Sequence, residues 1–285
     1  MLIYFKRRII KPFLKWVGGK TQLLNKINEL IPKDFNTYIE PFVGGGAVLF
    51  NIKPKNFIIN DVNSELINLY QVIKNRKYFN DLLNNLKIHQ NNHNEEYFYQ
   101  IRNMDRVSDF NSINKVTRAA RMIYLNKSCF NGLYRVNSKG FFNLPSGKKE
   151  KVNLYDYDNI LQIHQYLQNS NNQLMNIDFE ECLKYANKGD FVYLDPPYDN
   201  YENKITFTSY DQNNFNKSEQ IRLFKVFQEL DKKGVKLMLS NHNTEFIQNL
   251  YKDYKIFVVH AKRNINSKGD GRGAVEEVLI INYDR

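Results

Sequence analysis

Cysteine is almost missing from this chain. Cys129 and Cys182 are its only two. They lie far apart without His or Cys companions at metal-ligand spacing, so no metal site is expected and they read as reduced, partly buried thiols of a cytoplasmic protein. Long apolar runs are missing as well. The opening MLIYFKRRII is apolar only until basic residues interrupt it, too short for a signal-peptide core, and no later stretch approaches a membrane span. No G-x-G-x-x-G fingerprint occurs, which removes the usual mark of a dinucleotide enzyme. Internal repeats are absent too. Acids are the scarcer charge, 30 Asp+Glu against 41 Lys+Arg, a net +11 over 285 residues. A surface that positive attracts polyanions and supports non-specific binding to nucleic acid. An AT-rich coding bias inflates Lys, Asn and Ile by itself, and the many Asn residues fit such a bias. The length suits one large domain or two modest ones.

What is present is most pointed at Phe191-Val192-Tyr193-Leu194-Asp195-Pro196-Pro197-Tyr198. The apolar run predicts a buried strand of a parallel sheet, being continuous rather than alternating. Pro196 and Pro197 can neither extend a ladder nor start a helix interior, so the chain leaves the sheet in a stiff turn at the strand's carboxyl end. Open α/β sheets bind ligands at that edge. The turn offers a carboxylate, a backbone carbonyl and an aromatic ring, a set matching a planar base with an exocyclic NH2, adenine or cytosine. A strand-ending turn with a solvated Asp shows the same pattern.

Upstream, Tyr38 to Phe42 followed by Val43-Gly44-Gly45-Gly46 and Ala47 to Phe50 reads as strand, glycine turn, helix. Such a turn lets backbone amides and a helix N-terminus approach a ligand, although glycines also serve turns alone, and no P-loop ending follows this one. A second short strand, Phe57 to Asp61, ends in an acid placed as one that holds ribose hydroxyls is placed; a helix-capping Asp looks alike. Asn63 is the expected cap of a helix beginning at Ser64. Trp16, the only tryptophan, and Lys20 stand beside Gly18 and Gly19. Ring and ammonium could grip an amino-acid-like ligand, or mark a surface turn. From about Asn75 to Leu174 the strand-helix alternation stops. Helices are predicted over 78–89, 95–104 and 115–126, then a basic loop from Cys129 to Asn143 with a hairpin at Ser138-Lys139-Gly140. The α/β rhythm then returns: a helix over 218–232, a strand over 235–240, a helix after Asn243, and strands near 256–259 and 275–281.

In this order, FLKWVGGK at 13–20, IEPFVGGGAV at 39–48, INDVNSELI at 59–67, FNGLYRVNSKGFFNLPSG at 130–147, Asp178-Phe179, DPPY at 195–198 and FTSY at 207–210 resemble the Dam-type, group α adenine-N6 DNA methyltransferases, restriction-associated GATC enzymes included. The resemblance spans nearly the whole chain. It implies a Rossmann-like S-adenosylmethionine-dependent methyltransferase sheet (α/β, residues 1–74 and 175–285) with a helical and hairpin target-recognition insert (75–174). It implies that Trp16, Lys20, Glu40, Phe42, Gly44, Gly46, Asp61, Asp178, Phe179 and Asp195 hold S-adenosylmethionine. Asp195, Pro196, Pro197 and Tyr198 would carry the chemistry on an adenine flipped out of double-stranded DNA. Lys15, Phe130, Asn131, Leu133, Arg135 and Lys139 would meet the DNA, with Phe130 as a wedge and Arg135 on a guanine. No metal and no membrane are expected; a cognate restriction endonuclease acting separately is a possible partner.

Three other readings compete. An RNA-adenine or protein-glutamine methyltransferase is disfavoured by Asp195, where glutamine enzymes tend to carry Asn, and by the basic hairpin. A DNA-binding protein with a dead methyltransferase fold is disfavoured by the intact Asp195, Pro196 and Tyr198. An NAD-dependent oxidoreductase lacks its fingerprint.

Overall fold

The computed structural model describes residues 10–107, 109–168, 172–200, 215–262 and 274–284. FTSY at 207–210 and most of the opening MLIYFKRRII lie outside them. The chain forms two compact units: residues up to Gly19, Gly44–Lys53 and Asn63–Asn172 in the first; Lys20–Val43, Pro54–Val62 and everything from Gln173 on in the second.

The second unit holds the sheet, with strands β1 (Tyr38–Glu40), β2 (Phe57–Asn60), β3 (Gln173–Met175), β4 (Phe191–Leu194), β5 (Lys236–His242), β6 (Lys255–Lys262) and β7 (Ala274–Ile281). Their order is β3-β2-β1-β4-β5-β7-β6. The first five run parallel; β7 runs antiparallel to both β5 and β6. The α/β, Rossmann-like expectation holds. β1, β2 and β4 are buried along their whole length, the signature of parallel strands covered on both faces. Side-chain alternation sorts the residues. Ile39, Val192, Leu194, Leu237, Leu239, Val278 and Ile280 pack in one core cluster with α8 (Phe179–Leu183), α9 (Lys217–Lys232) and α10 (Glu245–Leu250). The odd-numbered partners on β4, Tyr193 and the succeeding Asp195, turn to the opposite face. The strand order reverses direction between β1 and β4, so their carboxyl ends flank the switch point where such sheets bind ligands.

The first unit is helical: α2 (Ala47–Ile52), α3 (Ser64–Lys74), α4 (Arg76–Asn91), α5 (Glu95–Asn103), α6 (Lys115–Ser128) and α7 (Tyr157–Leu167). α6 is its axis, buried on nearly every side from Val116 to Ser128, as a helix enclosed by other helices must be. After it, backbone bonds from Asn143 to Arg135 and from Asn137 to Phe141 close the expected hairpin, with a bridge between Val136 and Phe142. Residues 75–172 of the expected insert all lie in this unit; Gln173 and Leu174 belong to β3 in the other.

The asparagines are not idle. Asn63, Asn75, Asn94, Asn114 and Asn216 each cap a helix by accepting a backbone N–H, worth about 1 kcal/mol apiece relative to alanine. Both cysteines are free and buried, and burial pushes the Cys182 thiol up to about 12.

Candidate active site

The turn after β4 is fastened at every second residue. Asp195 Oδ1 lies 2.8 Å from Lys20 Nζ and accepts a 2.8 Å bond from Ser240 Oγ. With the serine proton committed there, Tyr193 must be the donor of the 3.0 Å bond to Ser240 Oγ; burial holds that phenol well above its ordinary pKa, so the proton stays. Pro197 O accepts from Gln220 Nε2 at 2.9 Å. Asp199 accepts from Thr244 Oγ1 at 2.6 Å and donates its backbone N–H to Asn241 Oδ1 at 2.9 Å, while Asn241 Nδ2 donates back to Gln220. Gln220, Ser240 and Asn241 are fully buried. A carboxylate on a turn braced in this way is held in one geometry before any ligand arrives.

Pro196 is the exception. Unlike Pro197, its carbonyl takes no bond from the described residues, so Asp195 and Pro196 together keep acceptor capacity at the sheet edge. Tyr198 completes the corner: its hydroxyl donates to Glu277 Oε2 at 3.2 Å, its ring lies edge-on to His242 at 4.9 Å, and the Lys20 ammonium sits 4.6 Å from its centroid. Burial raises the Asp195 carboxyl above its ordinary value, against the pull of Lys20 and the Ser240 bond.

Around this corner the same sheet edge carries the other expected residues of the second unit. Glu40, 2 % exposed, ends β1 and accepts from the Tyr38 hydroxyl at 2.8 Å. Asp61 follows β2, its backbone carbonyl bonded by Asn176 Nδ2 at 2.8 Å. Buried Asn60 spans the edge, donating to the carbonyls of Pro41 and Ile177 and accepting from Ile177 N. Asp178 caps α8 and receives both terminal nitrogens of Arg222, at 3.0 and 2.8 Å. Burial opposes its charge, but the Arg222 bonds outweigh that and leave its carboxyl below the ordinary value. Phe179 packs on Phe42 and Phe215, at 5.5 and 5.7 Å, with Arg222 above it at 4.1 Å.

In the first unit, Trp16 stacks on Tyr134 at 5.4 Å and lies against the glycine turn. A Cβ on Gly44, where φ is +47°, would stand 2.7 Å from Trp16 Cδ1; one on Gly46, at φ +72°, would stand 2.6 Å from Tyr70 Oη. These glycines are therefore required by packing as well as by the turn. Phe130 is 57 % exposed on a short turn where Asn131 adopts φ +59°; the hairpin's apolar core is supplied instead by Phe142, 1 % exposed. Arg135 is exposed, its Nε held by Asn143 Oδ1 at 2.8 Å. Lys139 stands at the hairpin tip, its backbone N–H capped by Asn137. Leu133 gives its carbonyl to the Cys129 thiol.

Ser240, Asn241, Gln220 and Glu277 were missing from the sequence reading. A partial signal existed: Ser240 and Asn241 interrupt an otherwise apolar strand, but it takes the pairing of Leu194 with Leu239 to put Ser240 beside Asp195.

The family model described as D12 class N6 adenine-specific DNA methyltransferase matches residues 16–265. The chain belongs to that family. As an adenine-specific DNA methyltransferase it has full-length relatives. It is 42% identical over 275 residues to the Type II methyltransferase M1.LlaDCHI of Lactococcus lactis subsp. cremoris, covering 96% of each chain. It is 42% identical over 290 residues to the Type II methyltransferase M.MjaIII of Methanocaldococcus jannaschii, covering 96% of this chain and 99% of that one. To the DNA adenine methylase of Haemophilus influenzae it is 33% identical over 275 residues, 95% of this methyltransferase and 93% of the relative. Among its described residues no group of His, Cys, Asp and Glu could hold a metal ion, and no helix is long and apolar enough to cross a membrane.

Proposed function

We propose that this methyltransferase moves the methyl group of S-adenosylmethionine to N6 of an adenine flipped out of double-stranded DNA, within GATC, and that residues 75–174 read the target. The observation that supports it best is the braced Asp195 beside the uncommitted Pro196 carbonyl at the switch point of the sheet.

The donor set of the second unit fits the cofactor. Lys20 opposes a carboxylate, Glu40 and Asp61 suit an ammonium and a pair of hydroxyls, and Phe179 suits a purine. Trp16, Gly44 and Gly46 keep their proposed cofactor role on the resemblance. When bound, the cofactor supplies a methyl group on a sulfonium, already an excellent leaving group. The protein's task is then alignment and electrostatics. An adenine amino nitrogen is a poor nucleophile because its lone pair is delocalised into the ring. Asp195, through Oδ2, and Pro196 O each accept one of its N–H bonds, which draws the nitrogen toward a tetrahedral arrangement. Asp195 need not be a strong base, since the N–H becomes acidic once the nitrogen is alkylated. Tyr198, anchored by Glu277, presents its ring to the target base. Calorimetry should show S-adenosylmethionine binding without DNA, about tenfold weaker in Asp61→Ala, the loss of roughly one hydrogen bond to a charged group. A wild-type protein that binds NAD and ignores S-adenosylmethionine would overturn the reading.

Specificity for GATC rests on the hairpin. With Nε held by Asn143, the terminal nitrogens of Arg135 remain for a bidentate guanine contact. Arg135→Ala should narrow the gap in kcat/KM between GATC and a site altered at one guanine by roughly 1–3 kcal/mol. Equal losses on all sites would make Arg135 a phosphate contact. The Type II names of two relatives support a cognate restriction endonuclease acting separately on the same sequence.

A further inference from the structure

The first unit carries a basic recess of whose lysines only Lys15 has a role above. It encloses about 210 Å³ and is lined by Lys15, Lys127, Lys149 and Lys151 with Asn126, Gly132, Val152 and Asn153. Three separate stretches of chain bring these lysines together, and their convergence is built rather than incidental. Fully buried Asn126 grips the backbone of Lys15 from both sides, accepting from its N–H at 3.0 Å and donating to its carbonyl at 2.8 Å. Gly132, at φ +64°, leaves room for the Lys15 side chain, whose Cδ would stand 2.8 Å from a Cβ there. The Lys149 ammonium donates to the Lys127 carbonyl in the last turn of α6.

No carboxylate lines the recess, and among the described residues none of the four lysines forms an ion pair. Like charges gathered without an acid repel, and the repulsion is visible: burial, then Lys15 and Lys149, lower the pKa of Lys127. The negative end of α6 offsets part of that cost, but it cannot neutralise four ammonium groups. A bound anion can. The lining holds no aromatic ring for a base to stack on and no guanidinium fork to read a base edge. Lysine ammoniums are point charges suited to phosphate oxygens.

We propose that this recess seats a backbone phosphate of the duplex, with Lys127, Lys149 and Lys151 as sequence-independent contacts beside Lys15. The proposal rests on the reading of double-stranded DNA as substrate. It is tested by measuring Kd for a GATC duplex and a scrambled duplex between 50 and 200 mM salt (about the range over which phosphate contacts dominate), for wild type, Lys149→Gln, Lys151→Gln and the pair. Lys149 and Lys151 are exposed, so folding is not at stake, and a thermal melt verifies it. The double variant should bind both duplexes more weakly by the same factor, with a log Kd against log salt slope shallower by about 0.9 for each phosphate no longer neutralised. Lys151→Arg should restore the slope. An unchanged slope and Kd would overturn the phosphate seat while leaving the substrate reading intact. A loss confined to GATC would overturn it in favour of base readout. Wild type that binds neither duplex would sink the substrate reading and the seat with it.

Discussion

Alanine at position 195 should abolish methyl transfer, with a loss in kcat of at least about a thousandfold, while the protein remains folded. The size follows from how many bonds converge on one carboxylate. Asp195 Oδ1 holds Lys20 and Ser240 at 2.8 Å each, and its other oxygen is the proposed acceptor for the reacting amino group. Alanine removes the acceptor and with it the carboxylate 2.8 Å from the ammonium of Lys20, a residue only 5 % exposed. Asp195→Asn separates these effects. It keeps a carbonyl oxygen in the shape of the carboxylate but removes the negative charge, so a large residual loss would locate the effect in charge and a small one in position. The pH profile carries the same information. Burial raises the Asp195 carboxyl above its ordinary value, and the carboxylate is the working form. The acid limb of kcat/KM should therefore lie above the ordinary Asp value of about 3.9. Removing the neighbouring cation in Lys20→Met makes the anion costlier still, so the limb should move to higher pH. Full activity of Asp195→Ala on duplex DNA would remove Asp195 from the chemistry altogether.

How much of this was legible beforehand depended on sequence distance. β4 and its turn could be read because eight consecutive residues carry both the strand and its termination. α9 and the capped α3 could be read because their patterns are long and periodic. α1 (Leu24–Leu30) escaped: it has seven residues and no side-chain cap. β3, with three residues, is too short for any pattern, and α7 was hidden in a stretch read as insert. Asp178 was legible as a site residue but not as the cap of the five-residue α8. The site itself was half visible. Asp195, Pro196 and Tyr198 announce themselves, whereas the groups that brace them, Ser240, Gln220 and Glu277, arrive from strands and helices more than twenty residues away. Only the sheet order puts β5 beside β4, and order is set by burial of both faces, not by any local signal.

The recognition hairpin offers the sharpest test of bracing at a distance. Asp105, 7 % exposed, and Arg121, 5 % exposed, form a buried ion pair at 2.7 Å. The same Asp105 oxygen accepts the Phe142 N–H at 2.7 Å, and its neighbour Arg106 donates to the Phe142 carbonyl at 2.9 Å. One carboxylate thus ties α6 to the return arm of the hairpin that carries Arg135 and Lys139. Arg121 has further acceptors in the carbonyls of Ile101 and Arg102, but neither is charged. Asp105→Ala leaves a buried guanidinium without its ion-pair partner, with only the Glu65 carboxylate still acting on it, and a buried N–H without a partner. Breaking a buried pair from one side costs about 3–5 kcal/mol, and urea unfolding should show a loss of that size. Asp105→Asn should lose less, because its amide oxygen still accepts from Phe142. Function should follow the hairpin rather than the sheet. Below the unfolding midpoint, Asp105→Ala should still bind S-adenosylmethionine, while its preference for GATC over altered sites falls toward that of Arg135→Ala. Wild-type stability in Asp105→Ala would show that the hairpin stands without this carboxylate. A full stability loss with undiminished preference would show instead that Arg135 keeps its place by its own bond to Asn143.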